Sequence, residues 1–370
     1  MKGANSKAVA VSSMHDNELK DFMIKNSISL KINEARKITQ LLNRDPTLTE
    51  LHIFNIQWSE HSSYKSSKKE LKKLPTQAST VLLGVGEDAG ILKLDDEYGI
   101  AVSHESHNHP SQVVPFEGAA TGIGGNVRDI LCMGAKVIAS ADLLRFGSQN
   151  SDKSEISNRT KYIASQVIDG IAAYGNAIGV PVIAGDIYMN NSFNDNCLVN
   201  AVTLGIVKSD EIIHSRAPDN SIGYDIIVVG KPTDNSGFGG AAFASLILDD
   251  KDKENNRGAV QVPDPFLKNV IIRATYKVFE EARKDKITLG FKDCGAGGIM
   301  CATSELGSAA NVGMEIDLNE IHVSMENLPP YVTACSETQE RLVWIAPKDF
   351  TPKILQIYNN QFELPNVAEG

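Results

Sequence analysis

Cysteine is scarce in this 370-residue chain, and what there is does not pair up. Cys132, Cys197, Cys294, Cys301 and Cys335 are odd in number and widely spaced, with no CxxC motif. Neither a disulfide frame nor a zinc site is expected, and the thiols read as reduced. Long apolar runs are absent too: nothing approaches the roughly 18–20 residues that a membrane span needs. Ala8 to Val11 is too short for a signal-peptide core, so a cytoplasmic location is expected. Basic residues are in deficit, with 36 Lys plus Arg against 46 Asp plus Glu and a formal net charge of −10. A phosphate-backbone binder is normally basic, so nucleic acid is disfavoured as the main partner, whereas a small phosphorylated ligand is not. No short-period repeat is visible.

What is present reads as an ordinary globular protein: 42% hydrophobic and 22% charged residues. The length predicts two or three domains, at roughly 100–200 residues each. Residues 1–14 are small, polar and aperiodic, and are expected to be mobile. From Asp16 to Leu74 the spacing is helical, with Ala35, Ile38, Leu41 and Leu42 on one stripe and Leu51, Phe54 and Trp58 on another. Thr47 and Glu50 read as a capping pair. Thr80–Val85 and Gly99–Val102 are expected to form a hairpin around the acidic turn Asp95-Asp96-Glu97. Further on, 162–178 and 269–284 read as helices, and 136–141, 180–184, 198–207, 225–229 and 341–345 as strands. A boundary falls near Pro218-Asp219-Asn220. The interleaving predicts an α+β chain: a tail and helical linker over 1–75, then mixed domains over 76–215 and 216–370.

Three segments concentrate chemistry. In Glu105-Ser106-His107-Asn108-His109-Pro110, an extended backbone would place Glu105, His107 and His109 on one face, suited to a metal or to a histidine base beside a carboxylate. A polar strand end with hydrogen-bonded histidines is the plainer reading. In Trp58-Ser59-Glu60-His61-Ser62-Ser63-Tyr64-Lys65, a helix would bring His61, Tyr64 and Lys65 together for a phosphate or nucleotide. The lysines from 65 to 73 read as a solvated face. In 118–129, glycines 118, 122, 124 and 125 precede Arg128 and Asp129. Phosphate binding at a helix start and tight packing of a small-residue helix are both compatible with that run. Asp293 before a glycine turn and Ser336 to Arg341 are two later polar sites. Gly84–Ala89 matches a dinucleotide fingerprint only superficially, because no βαβ unit surrounds it.

In order along the chain stand WSEHSSYKSSK (58–68), ESHNHPS (105–111), GAATGIGGNVRD (118–129), VQVPDPF (260–266) and SETQER (336–341). Together they strongly resemble the phosphoribosylformylglycinamidine synthase family, synthetase subunit, from about residue 30 onward. The resemblance implies a helical N-terminal segment followed by the N- and C-terminal domains of an aminoimidazole ribonucleotide synthetase-like half-module. It implies an ATP- and Mg2+-dependent ligase of purine biosynthesis, converting formylglycinamide ribonucleotide to formylglycinamidine ribonucleotide. An iminophosphate forms on the way, and the ammonia comes from a glutaminase subunit or domain. Residue by residue, it implies catalytic roles for His61 and His107 and an ATP contact for Tyr64. Glu105, Asp129 and Asp293 are implied magnesium ligands. Ser106, His107, Asn108, His109, Arg128, Gln261, Glu337, Thr338 and Gln339 are implied substrate contacts.

The chain departs from the family pattern in places. Ser103 stands where a basic residue that contacts ATP is usual, so that contact is lost or supplied elsewhere. Ser62 replaces a cysteine, and Pro263 replaces a glycine, which removes a backbone donor and fixes φ. The family enzyme is a tandem of two such halves, and this chain supplies one. It is expected to be a fragment, a truncated product or one partner of a split enzyme. Pairing with a missing second half-module, or homodimerisation through the surface left bare, is expected. A non-catalytic half that binds nucleotide or substrate as a scaffold is the alternative. Another ATP-using member of the superfamily is disfavoured by WSEH and ESHNHP.

Overall fold

The computed structural model describes residues 7–150, 153–244 and 257–368. Five helices open the chain: α1 (Asp16–Lys25), α2 (Ile32–Leu42), α3 (Leu48–Gln57), α4 (Glu60–Ser63) and α5 (Lys68–Leu71). The Thr47–Glu50 pair caps α3 as expected: the Glu50 N–H donates to Thr47 Oγ1, and the Thr47 N–H to Glu50 Oε2. Leu51 is fully buried, and Phe54 meets Trp58 edge-on at 4.9 Å. Residues 1–6 lie outside the described residues, but 7–14 are fastened rather than mobile. The Val9 N–H donates to the Pro46 carbonyl at 2.7 Å, Val11 is fully buried, and the Arg36 guanidinium holds the Val11 and Met14 carbonyls. The small and polar residues of this stretch conceal its anchor, Val11, with Val9 and Met14 packed against the same cluster.

A six-stranded sheet follows in the order β1-β2-β3-β6-β4-β5, built from β1 (Val81–Leu83), β2 (Gly90–Lys93), β3 (Tyr98–Ser106), β4 (Lys136–Phe146), β5 (Val182–Met189) and β6 (Leu198–Lys208). Only β4 and β5 run parallel, joined by α8 (Ser154–Ile178). The acidic turn does make a hairpin, but its strands are β2 and β3, with β1 as a further outer strand. Asp95 Oδ1 accepts from the Glu97 and Tyr98 N–H groups and closes that turn. A second, antiparallel sheet has the order β7-β9-β8: β7 (Asp225–Gly230), β9 (Arg341–Ala346) and β8 (Gly290–Asp293). The helix Pro265–Asp285 and the helix Gly298–Ala310 pack on it.

The glycine-rich run 118–129 is the interior of one long helix, α7 (Pro115–Cys132), after the short α6 (Asn108–Val113). Its glycines therefore start no helix, and the packing reading of that run holds. Small residues let α7 lie almost wholly buried between the six-stranded sheet and α8. At Gly124 an added Cβ would stand 2.5 Å from the Tyr174 hydroxyl of α8. One apolar core runs through both domains. It joins Ile123 and Val127 of α7 and Val167 and Ile171 of α8 to Ile271 and Val278 of the helix Pro265–Asp285 and to Trp344 of β9. The two sheets thus share a core, and α7 carries its polar face to the seam between them.

Candidate active site

The seam gathers charge. Glu105, near the end of β3, reaches α7 so closely that a Cβ on Gly125 would sit 2.8 Å from Glu105 Oε2. One turn further along α7, Arg128 donates from Nε to Asp293 Oδ2 at 3.2 Å, a nearly buried ion pair that ties the two domains together. Asp129 Oδ2 accepts from Ser103 Oγ at 2.7 Å. Asp88, before β2, bonds the Lys292 ammonium of β8. Four neighbouring carboxylates thus face two cations in a place with little water. Burial pushes the Glu105 carboxyl up to about 7, Arg128 opposing and Asp293 adding to the shift. Burial likewise pushes Asp88 to about 6, and lifts Asp129 well above the usual carboxylate range with help from Asp293, Glu105 and Asp88.

Among the described residues, no three His, Cys, Asp or Glu side chains converge closely enough to hold a metal by themselves. Glu105, Asp129 and Asp293 are therefore neighbours rather than a closed cage: Asp293 is spent on Arg128 and Asp129 on Ser103. The set nevertheless fits Mg2+. Its donors are all carboxylate oxygens, the hard ligands that Mg2+ takes. Asp88 Oδ2 is buried with no hydrogen-bond partner among the described residues. Mg2+ typically takes one or two protein carboxylates and completes its shell with phosphate oxygens and water.

The histidines converge from two segments, but not as one extended face. The strand ends at Ser106, His107 caps α6, and His109 and Pro110 lie inside that helix. His107 Nδ1 bonds the Gly118 carbonyl oxygen. A carbonyl only accepts, so Nδ1 carries the proton and Nε2 keeps its lone pair. Burial pushes His107 down to about 4, so the ring is neutral at pH 7. His61 lies within electrostatic reach of both His107 and His109, and burial, then the His109 charge, lowers its pKa. Tyr64 and Lys65 part company, because α4 stops at Ser63. Tyr64 takes a left-handed backbone (φ 50°), and Lys65 turns to Glu34 at 2.7 Å. Tyr64 remains half exposed, within electrostatic reach of Glu305, Glu105, Asp129 and Lys292.

The other expected contacts divide. Glu337 and Gln261 come together, with Gln261 Nε2 donating to Glu337 Oε2 at 3.3 Å while Glu337 Oε1 accepts from the Ala241 and Gly297 N–H groups. Burial pushes Glu337 up to about 7, against those two donors. Gln339 Nε2 donates to the Thr121 carbonyl of α7 at 3.1 Å. Thr338 is fully buried with its hydroxyl on Asp234, and Asn108 Oδ1 accepts from the Val199 N–H. Both side chains are committed to the fold in this state. Ser106 is exposed at the strand end. Sequence reasoning missed Asp88 and Lys292. The one signal for Asp88 was the Gly84–Ala89 segment, set aside as a failed fingerprint. Lys292 had none beyond standing next to Asp293.

Comparison with known proteins gives this arrangement its class. Residues 86–207 match the N-terminal domain and 222–367 the C-terminal domain of AIR synthase related proteins. Residues 19–65 match the formylglycinamide ribonucleotide amidotransferase linker domain. The chain is 54% identical over 358 residues to phosphoribosylformylglycinamidine synthase subunit PurL of Methanothrix thermoacetophila, covering 96% of this chain and 46% of that one. It is 42% identical to PurL of Caldanaerobacter subterraneus, covering 90% of this chain and 43% of that one. Among solved structures, Thermotoga maritima PurL complexed with FGAR matches at 35% identity and a TM-score of 0.76, over 88% of this chain and 50% of that one. The same protein complexed with ATP matches at 32% and 0.72, over 89% and 49%. The chain belongs to the AIR synthase related family, in its phosphoribosylformylglycinamidine synthase PurL branch. It spans about half the length of the curated relatives it matches.

Proposed function

We propose that this chain carries the FGAR-amidating chemistry of the PurL branch: ATP-dependent conversion of formylglycinamide ribonucleotide to formylglycinamidine ribonucleotide. ATP phosphorylates the amide oxygen, which is a poor leaving group until it carries phosphate. Ammonia then attacks the carbon of the iminophosphate, and phosphate departs. Bound Mg2+ would offset charge on the triphosphate, and Glu105, Asp129 and Asp293 are the residues to hold it. The single observation that carries the reading is the His107 ring. Neutral at pH 7 and fixed as the Nδ1–H tautomer by the Gly118 carbonyl, it presents Nε2 as an acceptor for a proton of the attacking ammonia. Arg128, Gln261, Glu337 and Gln339 line the seam where the substrate's polar groups would be oriented, and His61 and Tyr64 cover it from the linker.

The reading extends to partners. The ammonia comes from a glutaminase chain, and a solved PurLQS assembly from Thermotoga maritima matches this chain at 32% identity. The edge strand β5 supports pairing with a second half-module or a second copy, since Val182, Ile183, Ile187 and Tyr188 are each more than half exposed on it. Such an apolar strand with a free edge invites association. The domain limits proposed above, near 75 and 215, place β5 in the first of the two mixed domains. The test is phosphate release from ATP with formylglycinamide ribonucleotide, ammonium chloride and Mg2+, for the purified chain and its His107→Ala variant. Substrate-dependent release that the variant loses supports the reading. No substrate-dependent release, even when the chain is mixed with a second half-module, overturns it.

A further inference from the structure

Two cations belong to the carboxylate cluster, and they are held differently. Arg128 is 4% exposed and locked on Asp293 between the domains. The Lys292 ammonium is shared: on its inner side it bonds Asp88, and on its outer side Glu305 Oε2 at 3.1 Å. The Asp88 side chain is 5% exposed and that of Glu305 is 48% exposed. The outer partner is thus the loose one. Among the described residues Glu305 also accepts from Cys301 Sγ, at 3.4 Å to Oε1. Tyr64, half exposed on the linker, lies within electrostatic reach of both Lys292 and Glu305. On the β3 side the corresponding position offers no cation, because Ser103 is there with its hydroxyl on Asp129.

An exposed carboxylate on a lysine contributes little, and a stronger anion displaces it readily. We propose that Lys292 is the cation that receives a phosphate oxygen of the bound nucleotide, exchanging Glu305 for it while Asp88 keeps the ammonium in place. Lys292 is then a positioning residue for the phosphoryl donor, and Glu305 is a resident anion that yields to it. The inference rests on the ATP-dependent reading above. It adds a residue to that site, and an exchange that sets how tightly the site holds triphosphate.

The experiment is calorimetric titration of the purified chain with a non-hydrolysable ATP analogue plus Mg2+, and separately with inorganic tripolyphosphate. Lys292→Gln should weaken both by about tenfold or more, the loss expected of a charge-assisted hydrogen bond. Lys292→Arg should recover most of that. Glu305→Gln should change affinity the other way, tightening it about two- to fivefold, because the competing anion is gone. A merely structural ion pair would not respond with opposite signs at its two ends. Since Lys292→Gln leaves Asp88 buried and unpaired, the double variant Asp88→Asn/Lys292→Gln is titrated beside it. Weak binding there supports the proposal, and restored binding overturns it. Wild-type affinity in Lys292→Gln, or weakened binding in Glu305→Gln, also overturns it while the ATP-dependent reading stands. A wild-type chain that binds neither probe, alone or with a second half-module, overturns both.

Discussion

Replacing Gly124 by Ala tests how much of the site depends on one close approach. The new Cβ would stand 2.5 Å from the Tyr174 hydroxyl and 2.6 Å from its Cζ, far inside contact distance. Tyr174 cannot retreat freely, because it is fully buried and its hydroxyl donates to Glu340 Oε1 at 2.6 Å. Overpacking a core position costs roughly 1–3 kcal/mol. Losing a buried hydrogen bond to a charged group costs roughly 1.5–3 kcal/mol. Alanine returns about 1 kcal/mol through its better helix propensity. The net expectation is a destabilisation of roughly 1.5–5 kcal/mol. Urea unfolding followed by tryptophan fluorescence measures it, since Trp344 is buried and stacked on Phe291 at 3.7 Å and reports on the shared core. Tyr174→Phe is the companion variant. It leaves Glu340 short of a donor and removes the nearer clashing atom, so the two changes together should cost less than their sum. A Gly124→Ala chain within about 0.5 kcal/mol of wild type would refute the reasoning, and so would strict additivity of the pair.

Glu50→Ala should cost about 0.5–2 kcal/mol at pH 7, through the lost half of the α3 capping box, in which the Thr47 N–H donates to Glu50 Oε2, and the lost Arg44 pair. Arg44 and the Thr47 donors hold Glu50 down to about 2 against partial burial, so this contribution is complete above about pH 4.5 and lost as pH falls through about 2; the variant's deficit should shrink over that window in a pH series of urea midpoints. Asp142 shows the opposite sign. It is buried on β4 with Oδ1 lacking a hydrogen-bond partner among the described residues, and burial raises it to about 6. Its penalty therefore grows as pH rises from about 4 to 6 and is constant above, so Asp142→Asn should stabilise the chain by roughly 1–3 kcal/mol at pH 8 and by almost nothing at pH 4. Arg128→Met leaves Asp293 buried without its partner and should destabilise by roughly 3–5 kcal/mol, visible as a lower thermal midpoint.

Local signals carried much of the architecture. The α3 cap, the amphipathic stretch that became α8, and the β6 and β9 strands all lie where the hydrophobic period puts them. Two kinds of feature were out of reach. The first is burial that comes from the partner rather than from the residue. Glycines 118–125 look like loop material by propensity, yet they sit inside a helix because small side chains alone let α7 fit between a sheet and α8. The second is pairing across great sequence distance: Lys292 and Asp88 stand 204 positions apart, and Arg128 and Asp293 165. Nothing in either segment's own pattern announces its partner. The candidate site stood out because its residues come in dense runs, such as 105–109 and 336–341. What those runs concealed is which side chains are spent on the fold, as Thr338 is on Asp234 and Asn108 on Val199.

The shared core constrains how the site can open. A hinge between the domains would have to expose Trp344 and Ile271 and strip Arg128 from Asp293. On the linker side Tyr64 is half exposed, while α3 is fastened to the second domain by Gln57 on Ser304, by the His52 ring stacked on Tyr331 at 4.2 Å and by Ile56, buried with Ala241, Ala334 and Cys335. The seam is thus closed by packed apolar side chains on both flanks, the shared core on one and the linker cluster on the other.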